Sequence, residues 1–366
     1  MTLNLRRSEL KSMLNQSTIG QPLKVMLLFA LLLGSHNSHA QNPQVDKSGI
    51  RIMFYNVENL FYPTDDPLKN DDEFTQEGAR YWTYKRYYDK LNKIAKTSIA
   101  IGEWEPPAVI GLCEVENIEC LTDLVKNSPL KVFGYEIVFH DCDDQRGIDV
   151  AMLYRPEYFN FISFESIKLN FPEEGSRPTR DILYTKGTVG EDTLHLFVNH
   201  WPSRYGGQLA TVPKRNFAAS VLRAKFDSIS TLNPMAKIIA MGDFNDHPDD
   251  ESMKDILRAK KAQADLKEGD LLNLIWQYEF EKGTHKYDHE WGILDQFVVS
   301  AALMDTNNVI YTTEQRTQIF DADYLLEAEK DGIGKTTNRT YIGFKYHGGY
   351  SDHLPIYMDV LIRKQP

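Results

Sequence analysis

The sequence predicts an α/β fold in which two mixed β-sheets pack face to face and are flanked by helices. Three observations predict it. Short strand-like runs recur through the chain, some alternating and some continuously apolar, as strands covered on one face or on both must be. Two stretches instead carry apolar residues at helical spacing. Helices and strands do not alternate regularly and no unit repeats at a fixed period, so mixed sheets are expected instead of a regular βαβ array or a solenoid.

The first strand is expected at residues 50–56, running into a polar turn at Val57, Glu58 and Asn59. Residues 62–77 carry Asp65, Asp66, Asp71, Asp72, Glu73 and Glu77 with two prolines, which makes a loop. Its acids are expected to be a solvated edge, with a calcium site as the alternative. Tyr84, Tyr87, Tyr88, Leu91, Ile94, Ala95 and Ile99 mark a helix over 84–101. The aromatic run 81–88 is read as packing for that helix, with base stacking the alternative. Pro106 and Pro107 then precede the apolar run 108–113, a strand covered on both faces. Further strands are expected at 135–140, 148–154, 161–169, 182–188, 194–199, 236–241, 296–300 and 355–362. A helix over 213–230 would begin with Pro213 at its start. Another is expected over about 249–261. Residues 311–349 are polar and Gly-rich and read as a long surface insertion.

The chain has 366 residues, 42% hydrophobic and 25% charged, a mix that excludes a disordered or collagen-like chain. With 41 basic against 52 acidic residues the net charge is −11, which argues against a broad basic surface gripping nucleic acid. Near the N-terminus Lys24 precedes an apolar run, Val25 to Leu33, shorter than the ~20 residues a spanning helix needs. Ser38-His39-Ala40 follows as a small-x-small cleavage pattern. Residues 1–40 are therefore expected to be a signal peptide, its start at Met13 or Met26 if not Met1, and residues 41–366 a single domain. The mature chain would carry 37 bases against 51 acids, or −14. It is expected to be secreted or periplasmic, without stable membrane insertion after cleavage, and monomeric with no protein partner. Cys113, Cys120 and Cys142 match no zinc spacing; one disulfide is possible, and the sequence does not choose the pair.

Polar residues gather where the expected strands end: Asn56, Glu114, Asn199 and His200, Asp243 and Asn245, with Asp295, Asp352 and His353 just before the last strands. Residues past the ends of adjacent strands can converge on one rim. The set contains neither a Ser-His-Asp nucleophile elbow nor a Gly-rich phosphate loop. Carboxylate and amide oxygens suit Mg²⁺, Mn²⁺ or Ca²⁺, and histidines beside them suit proton transfer or contact with an anion. Metal-assisted hydrolysis of a phosphoester is the reaction class that follows.

Gly111-Leu-Cys-Glu114, Asn199-His200-Trp201-Pro202-Ser203-Arg204, Gly242-Asp243-Phe244-Asn245 and Ser351-Asp352-His353 occur in that order. Together they resemble the endonuclease/exonuclease/phosphatase superfamily, over about residues 50–362. The resemblance implies a four-layer α/β sandwich and a secreted, Mg²⁺-dependent phosphodiesterase, a DNA or RNA nuclease first. The alternatives are a phosphatase or lipid phosphodiesterase acting on inositol phosphates or sphingomyelin, and a non-catalytic protein that keeps the fold. It further implies that Glu114 and Asn56 hold the metal, with Asp352 adding a contact, and that Asp243 activates water. Asn245 would steady the phosphate or a metal. His353 would contact the phosphate with Asp295 orienting it, and His200 would act as the acid for the leaving oxygen with Asp149 as its partner. Glu116 could replace or assist Glu114. Arg204 and Arg180 are candidate phosphate anchors, whereas His247, His285, His289 and His347 are read as loop histidines.

Overall fold

The computed structural model describes residues 49–363 apart from 104, 173–176, 262–265, 280 and 331–333. The expected signal peptide lies outside the described residues. Among the described residues no helix is long and apolar enough to cross a membrane.

The first sheet has seven strands: β1 (Gly49–Leu60), β2 (Val109–Val115), β3 (Glu136–Phe139), β4 (Asp149–Tyr154), β14 (Ile310–Tyr311), β15 (Thr317–Ile319) and β20 (Ile356–Ile362). The second holds β5 (Asn160–Ile167), β6 (Ile182–Val189), β7 (Asp192–His200), β8 (Lys237–Asp243), β9 (Ala259–Lys260), β10 (Leu271–Asn273) and β13 (Asp295–Ser300). Three small hairpins complete the strands: β11 (His285–Tyr287) with β12 (Glu290–Gly292), β16 (Leu326–Ala328) with β17 (Lys335–Thr337), and β18 (Tyr341–Ile342) with β19 (Lys345–Tyr346).

The four layers follow from the period-2 pattern of strands buried on both faces. Ile52 and Phe54 of β1 meet Leu194, Leu196, Ile239, Met241 and Phe297 in the core between the sheets. Met53 and Tyr55, one residue out of phase, face away and pack with Tyr87, Leu91 and Ile94 of helix α1 (Tyr84–Ile101) and with Leu121 and Leu124 of α2 (Ile118–Asn127). On the far side Phe197, Ile238 and Ala240 pack against Ala218, Leu222 and Phe226 of α3 (Gln208–Leu232). The order is helices, sheet, sheet, helix, which is the expected four-layer sandwich.

Several local expectations change. The turn expected at 57–59 lies inside β1, where Glu58 and Asn59 adopt φ of 51° and 57° and the pairing register to β2 shifts. Helix α2 was not expected, although Asn117 caps it through Cys120 N and the Cys120, Leu121, Leu124 and Val125 spacing is helical. Helix α3 starts five residues before Pro213, which therefore lies inside it. The helix expected at 249–261 is one π-turn, Ser252–Ile256, ended by Arg258 at φ 61°. The 311–349 insertion is partly core: Ile319, Leu325 and Tyr341 are buried. Cys113, Cys120 and Cys142 are all buried free thiols, so no pair forms.

Candidate active site

Topology brings the polar residues to one rim. β1 and β2 run parallel, so Asn56 and Glu114 leave the same edge of the first sheet. β7 and β8 are also parallel, and His200 pairs in register with Asp243. β13 is antiparallel to β8 and starts where β8 ends, pairing Asp295 with Asp243. β20 is antiparallel to β1, so the chain entering it carries His353 to the same edge. Gly242 permits the close approach of β7 and β8 there: a Cβ on it would lie 2.4 Å from the Asn199 carbonyl oxygen.

Asp243 sits at the centre, almost fully buried. Its Oδ1 accepts from Asn245 N (2.9 Å), and its Oδ2 accepts from Asn56 Nδ2 (3.0 Å). The same Oδ2 lies 3.7 Å from His200 Nε2 and 3.8 Å from His353 Nε2. Burial raises the Asp243 carboxyl above its usual range and Asp295 adds to this, while His353 and the bonds from Asn245 and Asn56 oppose it. Glu114 Oε2 accepts from Asn59 N (2.9 Å), and its Oε1 lies 3.9 Å from His200 Nε2. Glu114 and Asn245 hold φ of 62° and 52°, the left-handed region that costs a non-glycine residue energy and recurs at functional sites.

The two histidines differ. His353 Nδ1 lies 2.7 Å from Asp295 Oδ2, and Asp295 is fixed by its backbone N–H donating to Thr284 Oγ1 (3.0 Å). Burial opposes charge on His353, but Asp295, Asp243 and Asp352 outweigh it and hold the imidazolium well above the ordinary histidine range. His200 has no such partner: its Nδ1 is buried without a hydrogen bond. Burial, with Arg180, Arg146 and His353 nearby, keeps its pKa well below the ordinary value, so its contacts to Glu114 and Asp243 are not ion pairs. Asp149 does not orient it. That carboxylate accepts instead from the Cys142 thiol and backbone N–H.

Other expected roles also shift. Asn56 turns its amide nitrogen to Asp243 and, at 3.5 Å, to Glu114, while its oxygen accepts from Glu58 N (3.0 Å). Its amide nitrogen braces the two carboxylates. Arg180 is buried, donates to Trp201 O (2.8 Å) and lies 3.6 Å from Asp144. Arg204 donates to Asn245 O (2.7 Å) and Asp250 Oδ2 (2.7 Å). Both guanidinium groups brace the rim through these bonds. Asn245 Nδ2 donates to Trp201 O (3.0 Å), leaving its second N–H available.

Asp352 lies on the segment that enters β20. It accepts from Arg339 Nη2 (2.9 Å), and one atom each of Asp352, His285 and His353 lie within 4.8 Å of one another. His285 is therefore no loop bystander: its ring stands 4.7 Å from that of His353. Arg339 also pairs with buried Glu58 (3.2 Å), and Lys90 donates to Thr340 Oγ1 and the Tyr350 carbonyl behind the site. Burial lowers Lys90 to about 8. Lys90 had a signal in the sequence, a charge on the apolar face of the 84–101 helix between Tyr87 and Leu91. Arg339 and His285 come from segments without periodicity and had none.

The donor set fits a hard divalent cation. Carboxylates crowd a rim whose positive site groups include His353 and Arg339, and a cation beside Glu114 would favour the ionised form of Asp243 that burial disfavours. Asp243, Asp295 and His353 form a second compact group, with one atom of each within 4.8 Å.

A four-layer sandwich with a carboxylate and histidine rim is the architecture of a metal-dependent phosphoric ester hydrolase. Residues 51–362 match the model of the Endonuclease/Exonuclease/phosphatase family, and the chain belongs to that family. No curated protein matches the sequence. Among solved structures it is similar to humanized D. rerio TDP2 carrying 14 mutations, at 17% identity over 86% of this chain and 99% of that one, TM-score 0.52. It is similar to D. rerio TDP2 complexed with single strand DNA product at 15% identity, 86% and 99% coverage, TM-score 0.51. A mannosyl-6-phosphatase of Bacteroides thetaiotaomicron VPI-5482 gives 15% identity, 85% and 99% coverage, TM-score 0.52. At these identities the likeness is one of fold.

Proposed function

We propose that the chain is an exported phosphodiesterase acting on nucleic acid, with residues 41–366 as one catalytic domain and Mg²⁺ as its ion, Mn²⁺ or Ca²⁺ being alternatives. The observation that carries the reading is Asp243 flanked at 3.7 and 3.8 Å by one neutral and one charged histidine. A cation held by Glu114 would act as a Lewis acid on a phosphoryl oxygen. Asp243 Oδ2 orients the attacking water and accepts its proton. His353, with Nδ1 held by Asp295, turns Nε2–H and a positive charge toward the phosphate oxygens, and Asn245 adds its second N–H. His200 contributes a neutral hydrogen bond. The transferable proton belongs to His353.

Nucleic acid is favoured as substrate by exposed aromatic faces on two sides of the rim. Tyr205, 92% exposed, directly follows the Asn199–Arg204 stretch. Tyr287, 79% exposed, lies on the β11–β12 hairpin, whose His285 bridges to His353. Bases of any sequence can stack on such faces. At −14 the mature chain would hold a polyanion briefly and in a salt-sensitive way. One observation favours a phosphomonoester instead. Exposed Arg146 stands near His200 with its Nη2 donating to Asn59 Oδ1 (2.9 Å), and could turn to a terminal phosphate.

The test is to incubate the mature protein with plasmid DNA, single-stranded DNA, RNA, sugar phosphates, inositol phosphates and sphingomyelin, each with Mg²⁺, Mn²⁺, Ca²⁺ or EDTA. Metal-dependent cleavage of a nucleic acid above the other substrates is the expected result, and release of phosphate only from monoesters would overturn it. Export is tested by fractionating cells and sequencing the N-terminus, expected at Gln41.

A further inference from the structure

We propose that the buried pair Arg215–Asp246 acts as a positioning device that sets Asn245 for contact with the phosphate, which rests on the hydrolytic reading above. Asp246 directly follows Asn245, whose left-handed φ of 52° persists only where the surroundings over-determine it. Arg215 and Asp246 are 0% and 2% exposed, and Arg215 Nε lies 2.6 Å from Asp246 Oδ1. Asp246 Oδ2 accepts from Ser252 Oγ (2.6 Å), and its backbone carbonyl accepts from Gln296 Nε2 (2.6 Å). Gln296 follows Asp295 in β13 and pairs in register with Gly242 of β8. Residue 246 is therefore held by its side chain and by its backbone at once.

Arg215 comes from α3, and its Nη1 also donates to Pro202 O (3.4 Å), two residues past His200. One buried guanidinium thus joins the chain leaving β7 to the chain leaving β8. Asn245 Nδ2 crosses the same gap to Trp201 O (3.0 Å). A buried ion pair is a weak source of stability, because desolvating both charges offsets most of their attraction. Apolar side chains of similar volume would hold α3 to the sheet as well. What they would lack is direction, since hydrogen bonds to charged groups fix geometry as well as distance. Orientation of the residue beside Asp246 is the role left to the pair.

Asp246→Asn keeps the shape and removes the charge. On bis(4-nitrophenyl) phosphate with Mg²⁺ it should lower kcat about 100-fold and leave KM within about twofold. Added to Asn245→Ala it should cost less than about threefold more, because it acts through that residue. It also leaves Arg215 buried without its counterion, so the unfolding temperature should fall. Adding Arg215→Met removes the second charge and should restore the unfolding temperature but not kcat. That double variant carries the same test if Asp246→Asn alone does not fold. The side-chain amide resonance of Asn245, identified by its loss in Asn245→Ala, should shift in both variants whatever the substrate. A wild type that cleaves no phosphoester would count against the hydrolytic reading, whereas an unmoved Asn245 resonance would overturn the positioning role. So would a kcat within about threefold of wild type, additive losses with Asn245→Ala, or a kcat that recovers together with the unfolding temperature.

Discussion

His353 and His200 stand at nearly equal distances from the same oxygen of Asp243, yet their surroundings drive them to opposite charge states. His353 arrives on the segment before β20 and meets Asp295 at 2.7 Å, so a carboxylate stands behind the ring. His200 arrives at the end of β7 and meets burial plus the positive field of Arg180 and Arg146. The residue type is the same and the distance to the centre is the same. What differs is the group on the far nitrogen, and that group decides whether the imidazole can carry charge to a phosphate. Two titratable groups pushed apart in this way divide the acid and base work of a site between them.

The largest effect should come from the carboxylate the two rings share. Asp243→Asn is expected to lower kcat by about 10³-fold or more, because it removes the proton acceptor without changing shape. His353→Gln should cost about 10²–10³-fold, the scale of one lost charge-stabilising donor. His200→Gln should cost only about 10-fold, the scale of one neutral hydrogen bond. Steady-state kinetics on the three variants decides the matter. Equal losses in the two histidine variants would break the asymmetry.

Much of this was legible in the sequence for a physical reason. Strands buried on both faces write their period as unbroken apolar runs, and the polar residues just beyond them stand out by contrast. Asn56, Glu114, Asp243, Asp295 and His353 were visible in that way, and the structure gathers them. What the sequence hid was direction. The carboxylate at 149 was visible as a polar residue at a strand start, but its side chain meets Cys142. Arg180 and Arg204 were visible as guanidinium groups, but their bonds to carbonyls and carboxylates of the rim were not. Glu58, Arg339 and His285 are set by a bulge, an insertion and a short hairpin, whose geometry depends on contacts far along the chain and leaves no periodic trace.

Next in size is a change in pH dependence. Asp295→Asn removes the charge that does most to raise His353, so the alkaline limb of kcat/KM should move down by about 1–3 pH units. The sign for stability follows the same linkage. Because pairing raises the folded-state value of His353, its stabilising share is complete below the free-imidazole value of 6.5 and is lost as pH climbs through the folded value. Asp295→Asn should therefore destabilise the protein more at pH 6 than at pH 9, measured by urea unfolding at the two pH values. An unmoved alkaline limb would mean that Asp295 does not set the charge on His353.

The smallest effect sharpens the His200 side. Arg146 is exposed, and its charge is one of those that lower His200. Arg146→Gln removes that charge while keeping a side chain that can hydrogen-bond Asn59. His200 should then titrate at higher pH, though burial, the largest cause, still keeps it below the ordinary value of 6.5. If Arg146 also meets the substrate phosphate, KM should rise by about 2–5-fold with kcat little changed, the range expected of an exposed charge contact. Histidine NMR of the free enzyme and kinetics on the substrate it cleaves read the two consequences separately. A shift in the His200 resonance with an unchanged KM would make Arg146 part of the electrostatics of the rim alone. A larger KM effect on a phosphomonoester than on DNA would move the substrate reading toward the monoester.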